Sequence, residues 1–137
     1  KSLHNQFMYE WSAARQNLVL ITGHTHQPVF NSLTHLERLY LDLEDATEKN
    51  NTAAIEKIKA EIPRRRREYD FVNHSFRNMK PSYFNAGCCC YGDGNITGLE
   101  ISGGFMRLVK WSKVNGVPTR IVAEETHLVE LAAKITG

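Results

Sequence analysis

The hydrophobic and polar positions of this chain change their spacing several times, and each change predicts a different element. Near the N-terminus, Phe7, Trp11 and Ala14 recur at the i, i+4, i+7 spacing of one helix face. This spacing predicts a short helix over residues 7–15. The apolar run Leu18–Thr22 then stops at a glycine, as expected of a strand covered on both sides. A helix followed by a buried strand is therefore expected at the start of the chain.

The middle of the chain, from about residue 32 to residue 78, has a helical pattern. Two apolar stripes follow a period of about 3.6 residues and are separated by the polar pair Asn50-Asn51. Pro63 is expected to end or kink the second helix. Two amphipathic helices joined by a short polar turn predict a helical hairpin. The stripes consist of Leu33, Leu36, Tyr40 and Leu43 in the first helix, and of Ile55, Ile58 and Ile62 in the second.

After Pro81 the pattern becomes that of β-strands, with apolar and β-branched residues between glycine-rich turns. The turn Ser102-Gly103-Gly104 predicts a hairpin between two of these strands. A strand, a helical segment and then a β-meander place the chain in the α/β class. The predicted elements are strands at Ser82–Ala86, Asn95–Ile101, Phe105–Trp111 and Thr119–Thr126, and a closing helix at His127–Ile135.

Composition and charge exclude several classes of protein. The 137 residues are 42% hydrophobic and 23% charged, with a net charge of only +2, which argues against nucleic acid or membrane as a partner. Arg64–Arg67 is a basic run, but residues 44–70 hold seven acidic and seven basic side chains, so a solvated, salt-bridged helix face is favoured. No apolar run reaches the roughly 20 residues that cross a bilayer. Three consecutive cysteines favour reduced thiols, and hence a cytoplasmic location.

Two histidines, His24 and His26, follow the first apolar strand directly. In extended backbone, residues two apart point to the same side, so both imidazoles can serve two neighbouring cations or a single one. Gly23 gives the backbone room to turn, and ligands of open α/β sheets gather just beyond the carboxyl ends of strands. From these residues alone, a metal site and an ordinary surface pair are about equally supported.

Two segments carry a resemblance to a known family. The segment LVLITGHTHQPVF resembles the last metal-binding motif of the calcineurin-like metallophosphoesterases, and SYFNAGCCCYGDGNITGLEISGGFMRLVKW is similar to that family's closing β segment. Together they cover roughly a third of the chain, in the family's order. The resemblance implies an α/β fold of four layers (αββα), of which residues 1–31 and 79–137 are the C-terminal part. Residues 32–78 are then a helical-hairpin insert that serves as a cap or an interaction element.

The resemblance also implies a hydrolase of phosphate esters with two divalent transition-metal ions, which could be manganese, iron or zinc. His24 is then expected to ligate one ion and His26 the other. The family's Asp-x-His, Gly-Asp-x-x-Asp and Gly-Asn-His-Asp/Glu motifs are absent from the chain. We therefore expect an N-terminal part of the same protein to supply the other ligands, and the chain alone to be inactive, with no catalytic residue of its own. The substrate and its binding residues stay unspecified.

A different class of function stays open: a non-catalytic interaction module that uses the helical hairpin on a degenerate phosphoesterase fold. Other residues carry weaker expectations. Asn85 is expected to hydrogen-bond its loop or a histidine, and Gln27 to meet substrate or solvent. Cys88–Cys90 are expected to be small packing residues, and Trp11 and Trp111 core aromatics.

Overall fold

A computed structural model of the chain describes residues 2–23, 25, 27–69, 76–88 and 95–137, and in them it contains four α-helices and two β-sheets. The mixed α/β class predicted from the sequence is confirmed. In these ranges no helix has both the length and the apolar character needed to cross a membrane. The helices are α1 (Ser2–Ala13), α2 (His35–Glu48), α3 (Thr52–Arg66) and α4 (Leu128–Lys134), with a 3₁₀ turn at Phe76–Asn78. The strands are β1 (Leu20–Thr22), β2 (Val29–Phe30), β3 (Leu33–Thr34), β4 (Tyr83–Asn85), β5 (Ile96–Ser102), β6 (Phe105–Val114) and β7 (Val117–His127).

The first sheet has the strand order β1-β4-β2-β3 and is built from strands of two or three residues. β1 runs parallel to β4, whereas β2 runs antiparallel to both β4 and β3. The residues of β2, β3 and β4 are all buried, but Ile21 in β1 is 47% exposed. The prediction that the first strand is covered on both sides is therefore wrong for the described residues, where β1 is an edge strand and pairs only with β4.

The second sheet is an antiparallel meander, β5-β6-β7, and confirms the predicted hairpin. Its first turn places Gly103 and Gly104 at φ 57° and 82°, the left-handed region that tight hairpin turns require. The second turn, Asn115-Gly116, also has positive φ at both residues. β6 continues to Val114 and β7 begins at Val117, so both strands are longer than predicted. The Asn-Gly pair is the sequence feature that favours this second hairpin turn.

Both sheets and the last helix share one hydrophobic core. The rings of Phe30 in β2 and Phe84 in β4 meet edge to face, with centroids 5.1 Å apart. Burying each such side chain contributes about 1.5–3 kcal/mol. Because side chains alternate along a strand, Tyr83 and Asn85 point to the opposite face from Phe84. The core cluster consists of Phe30, Phe84, Met106, Leu108, Leu131 and Ile135.

Helix α1 packs on β4 through polar contacts. The hydroxyls of Ser12 and Ser82 lie 2.8 Å apart and are buried, which turns the neighbouring Trp11 outwards. Trp11 is 47% exposed, and the Arg15 guanidinium carbon lies 3.5 Å from its ring centroid. Trp111 is 40% exposed. The prediction that the two tryptophans are core aromatics is therefore wrong.

Helices α2 and α3 contact each other and confirm the predicted helix pair. Thr34 and Glu37 form a capping box at the start of α2, so Leu33, expected in the helix, lies in β3 instead. The Asn51 side chain caps α3. Pro63 was expected to end or kink this helix; it does not end α3, which continues to Arg66.

Candidate functional site

The carboxyl ends of β1 and β4 lie side by side, because the two strands are parallel and pair Thr22 with Asn85. Gly23 leaves the end of β1, and Gly87 follows two residues after the end of β4. The ends of adjacent parallel strands are a common place for ligand sites in α/β proteins. The loop of residues 23–28 starts at this edge, and it is the loop that carries the two histidines.

The same short turn, Ala86-Gly87, borders both ends of this loop. A Cβ added to Gly23 would lie 3.7 Å from the Gly87 carbonyl oxygen, so the two backbones approach closely. A Cβ added to Gly87 would lie 3.2 Å from Cγ of Pro28 and 2.3 Å from the Thr97 hydroxyl oxygen. Gly87 also has φ +78°, which favours glycine. The loop therefore begins and ends against a position that has no space for a side chain.

A buried polar network lies behind this turn, on the face of β4 that meets α1. The Tyr83 hydroxyl donates to Oδ1 of Asn5 (2.9 Å) and accepts from Nδ2 of Asn85 (3.2 Å). It also lies 3.2 Å from the hydroxyl of Thr22, the last residue of β1. Oδ1 of Asn85 accepts the backbone N–H of Gly87 at 2.9 Å. Tyr83 and Asn85 are 1% and 0% exposed, and each has hydrogen-bond partners, as buried polar groups require.

The second sheet braces the turn from the other side. The Thr97 hydroxyl in β5 donates to the Ala86 carbonyl oxygen at 2.8 Å. Cys88, the next residue after the turn, is buried, as expected of a small packing residue. Cys89 and Cys90 lie outside the described residues. The turn is therefore held by α1, β1, β4 and β5 together.

The structure places some of the residues singled out from sequence but not the central pair. His24 and His26 both lie outside the described residues. Thr25 lies between the two histidines in sequence, and Gln27 follows them. The Thr25 hydroxyl donates to the Gln27 carbonyl oxygen at 3.2 Å, and both residues are half-buried. Asn85, expected to hydrogen-bond its loop or a histidine, bonds the backbone of Gly87.

Sequence reasoning missed three members of the network: Asn5, Thr22 and Tyr83. Tyr83 and Asn85 share a strand face by their spacing of two, which is a signal for a polar pair. Asn5 is separated from Tyr83 by almost the whole helical region, and nothing in its local sequence marks it. Only the packing of α1 on β4 brings it there.

The residues present fit a transition-metal site only in part. Imidazole nitrogens suit manganese, iron and zinc, and the carboxyl end of a strand is a common place for a ligand site in an α/β sheet. Among the described residues, which do not include His24 and His26, no group of three or more His, Cys, Asp or Glu side chains could hold a metal ion.

Comparisons with known proteins add no family to these observations. No protein-family model, no curated protein and no solved structure matches this chain. The resemblance to the calcineurin-like metallophosphoesterases therefore rests on the sequence motifs alone.

Proposed function

We propose that this chain is the C-terminal part of a dinuclear-metal phosphoesterase, and that His24 and His26 each ligate one of two divalent ions, which could be manganese, iron or zinc. One observation carries the proposal. The loop with the two histidines starts at the carboxyl end of a parallel strand pair and is seated at both ends against Gly87. This is the setting in which an α/β sheet presents ligands to a bound group.

In this proposal the chain's own task is to hold two neutral imidazoles at a fixed separation. The ions, when bound, supply Lewis-acid chemistry and acidify a water that attacks the phosphate ester. The remaining ligands come from an N-terminal part of the same protein. The two sheets with their shared core are the inner layers of the αββα sandwich, and α1 belongs to an outer layer. The insert at 32–78 is then a cap beside the site that helps to select the substrate.

The test uses the complete protein and two substitutions, His24→Ala and His26→Ala. Each removes one metal ligand, so we expect manganese-dependent hydrolysis of an aryl phosphate to fall by at least about 100-fold, with a loss of bound metal. His4→Ala is the matched control, because His4 is an exposed histidine on α1. It should keep both activity and metal content. Wild-type turnover and metal stoichiometry in both loop variants would remove the metal assignment.

The second candidate is the non-catalytic interaction module, and one observation favours it. Helix α3 has no fully buried residue in the described structure, and its stripe of Ile55, Ile58 and Ile62 is only partly covered. Such a stripe suits contact with another subunit. Metal analysis of the intact protein separates the two candidates. Two equivalents of bound transition metal support the enzyme, and none supports the module.

A further inference from the structure

We propose that Tyr83 is a positioning residue for metal binding: its hydroxyl, acting through Asn85, fixes the Gly87 turn against which the histidine loop is seated. The inference rests on the proposed function, since it concerns the same pair of ligands. Among the described residues, the Tyr83 hydroxyl bonds Thr22, the residue before the loop, and not the loop itself, so its effect on His24 and His26 is indirect.

The first step is the fixed position of the Tyr83 hydroxyl. It lies within 2.9–3.2 Å of partners from three elements: Asn5 in α1, Thr22 in β1 and Asn85 in β4. The side chain is 1% exposed, so water cannot easily replace a lost partner. The hydroxyl therefore holds its three neighbours in one arrangement.

The second step is transmission through the Asn85 amide. Its nitrogen donates to Tyr83 and its oxygen accepts from the Gly87 N–H, so one rigid group links the hydroxyl to the turn. If the hydroxyl is removed, the buried amide nitrogen loses this partner and the amide is held less firmly. The hydrogen bond that orients Gly87 is then weakened.

The third step connects the turn to both ends of the loop. Gly23 precedes His24, and a Cβ built on it would lie 3.7 Å from the Gly87 carbonyl oxygen. Pro28 comes two residues after His26, and its Cγ would lie 3.2 Å from a Cβ built on Gly87. We therefore expect a displacement of Gly87 to shift one or both of these loop ends. Metal ligands tolerate errors of only about 0.2 Å in distance, so small shifts of the loop reduce affinity without removing a ligand. Partners that orient metal ligands typically change metal affinity by 10- to 100-fold.

The experiment is a manganese titration of the complete protein, with Tyr83→Phe compared with Tyr9→Phe. Tyr9 is the matched control, because its hydroxyl also bridges α1 to the segment before β4, accepting the Lys80 N–H at 3.0 Å. Among the described residues, the Tyr9 hydroxyl makes no hydrogen bond to the turn. We expect Tyr83→Phe to raise the Kd for manganese about 10-fold or more and to change the electron paramagnetic resonance spectrum of the bound ions. Tyr9→Phe should keep the wild-type Kd and spectrum. Excess manganese should restore most of the activity of Tyr83→Phe.

Thr22→Val provides a second variant of similar shape if Tyr83→Phe does not fold. It removes one partner of the same hydroxyl, and a smaller rise in Kd is expected. The positioning role is overturned if wild-type protein binds manganese and the variants at Tyr83 and Thr22 bind it equally well. An equal loss in Tyr9→Phe also overturns it, because the effect would then be one of general stability. Wild-type protein that binds none of manganese, iron and zinc overturns the proposed function itself.

Discussion

The two sheets of this protein are built in opposite ways. The first sheet combines segments far apart in sequence, residues 20–34 and 83–85, into strands of two or three residues that are mostly buried. The second sheet folds one continuous segment into strands of 7, 10 and 11 residues, and much of its surface is exposed. The short strands cannot be held mainly by backbone hydrogen bonds, because each contributes so few. Side-chain packing and the polar network must fix their positions.

This difference decides where substitutions should be costly. In the second sheet a long ladder and two tight turns share the stabilisation among many residues. In the first sheet a few buried side chains carry it, and the candidate site lies at that sheet's edge. Single changes there should therefore cost more than single changes in the meander.

The largest difference is expected between Phe84→Ala and Ile101→Ala. Phe84 is 0% exposed and packs on Phe30 in the shared core, so truncation leaves a cavity and should lower the free energy of unfolding by about 3–5 kcal/mol. Ile101, in β5, is 57% exposed, and its truncation should cost less than about 1 kcal/mol. Urea unfolding of both variants measures the difference. Equal costs would contradict the view that a few buried side chains stabilise the short-stranded sheet while many residues share the stabilisation of the meander.

The same contrast explains which parts of the fold could be predicted from sequence. The hairpin at Gly103-Gly104 is local, and both its turn residues and its alternating strands can be read directly. The first sheet is formed by non-local pairing. No local sequence pattern predicts the two-residue strand Val29-Phe30, because the strands that pair with it lie in other segments of the chain. The exposure of Ile21 was missed for the same reason, since a short apolar run does not reveal how many neighbours its strand has.

For the candidate site, the histidine motif could be predicted from the sequence, but the residues that hold its loop in place could not. The strand, glycine and two histidines could be recognised together, and Asn85 could be suspected from its place at a strand end. The role of Gly87 depends on the approach of Pro28 and Thr97 from two other segments. Such contacts follow from tertiary packing, which local patterns do not encode.

A smaller effect is expected from replacing glycine at two turns that share one backbone conformation. Gly87 and Gly116 have φ of +78° and +77°, but a Cβ would meet the Thr97 hydroxyl at 2.3 Å in the first and nothing within 4 Å in the second. Gly116→Ala should cost about 1 kcal/mol from left-handed strain alone. Gly87→Ala should cost about 3 kcal/mol, because steric overlap adds to the strain.

Thermal or urea unfolding of both alanine variants separates the two contributions, since the strain is common and the overlap is not. Gly98→Ala is a further reference, because a Cβ there meets nothing within 4 Å and its φ is not positive. If the costs at 87 and 116 are equal, the turn next to the histidine loop is less tightly enclosed than its distances indicate.

The smallest predicted effect concerns the point where the regular pairing of β6 with β7 is interrupted. A register shift at Leu108/Val109 leaves Ala123 without a paired residue and sets Glu124 opposite the buried Leu108. The Glu124 side chain is only 18% exposed and accepts a 3.0 Å bond from Nε of Arg38 in α2. Burial raises the pKa of Glu124 from 4.5 to about 7; Arg38 opposes this rise and Asp42 adds to it.

The sign of the pH dependence follows from the raised pKa. Between about pH 4.5 and pH 7 the unfolded chain releases the Glu124 proton while the folded protein retains it, so ionisation favours unfolding as the pH rises. We expect the free energy of unfolding to fall by about 2 kcal/mol between roughly pH 5.5 and 7.5 on account of this group. Glu124→Gln cannot ionise and should flatten the profile, apart from the contribution of Asp42, whose pKa burial also raises. Glu125→Gln, at a neighbouring side chain that is 52% exposed, should keep the wild-type slope. A wild-type slope in Glu124→Gln would mean that the Glu124 carboxylate is as solvated at the bulge as the exposed side chains elsewhere in the meander.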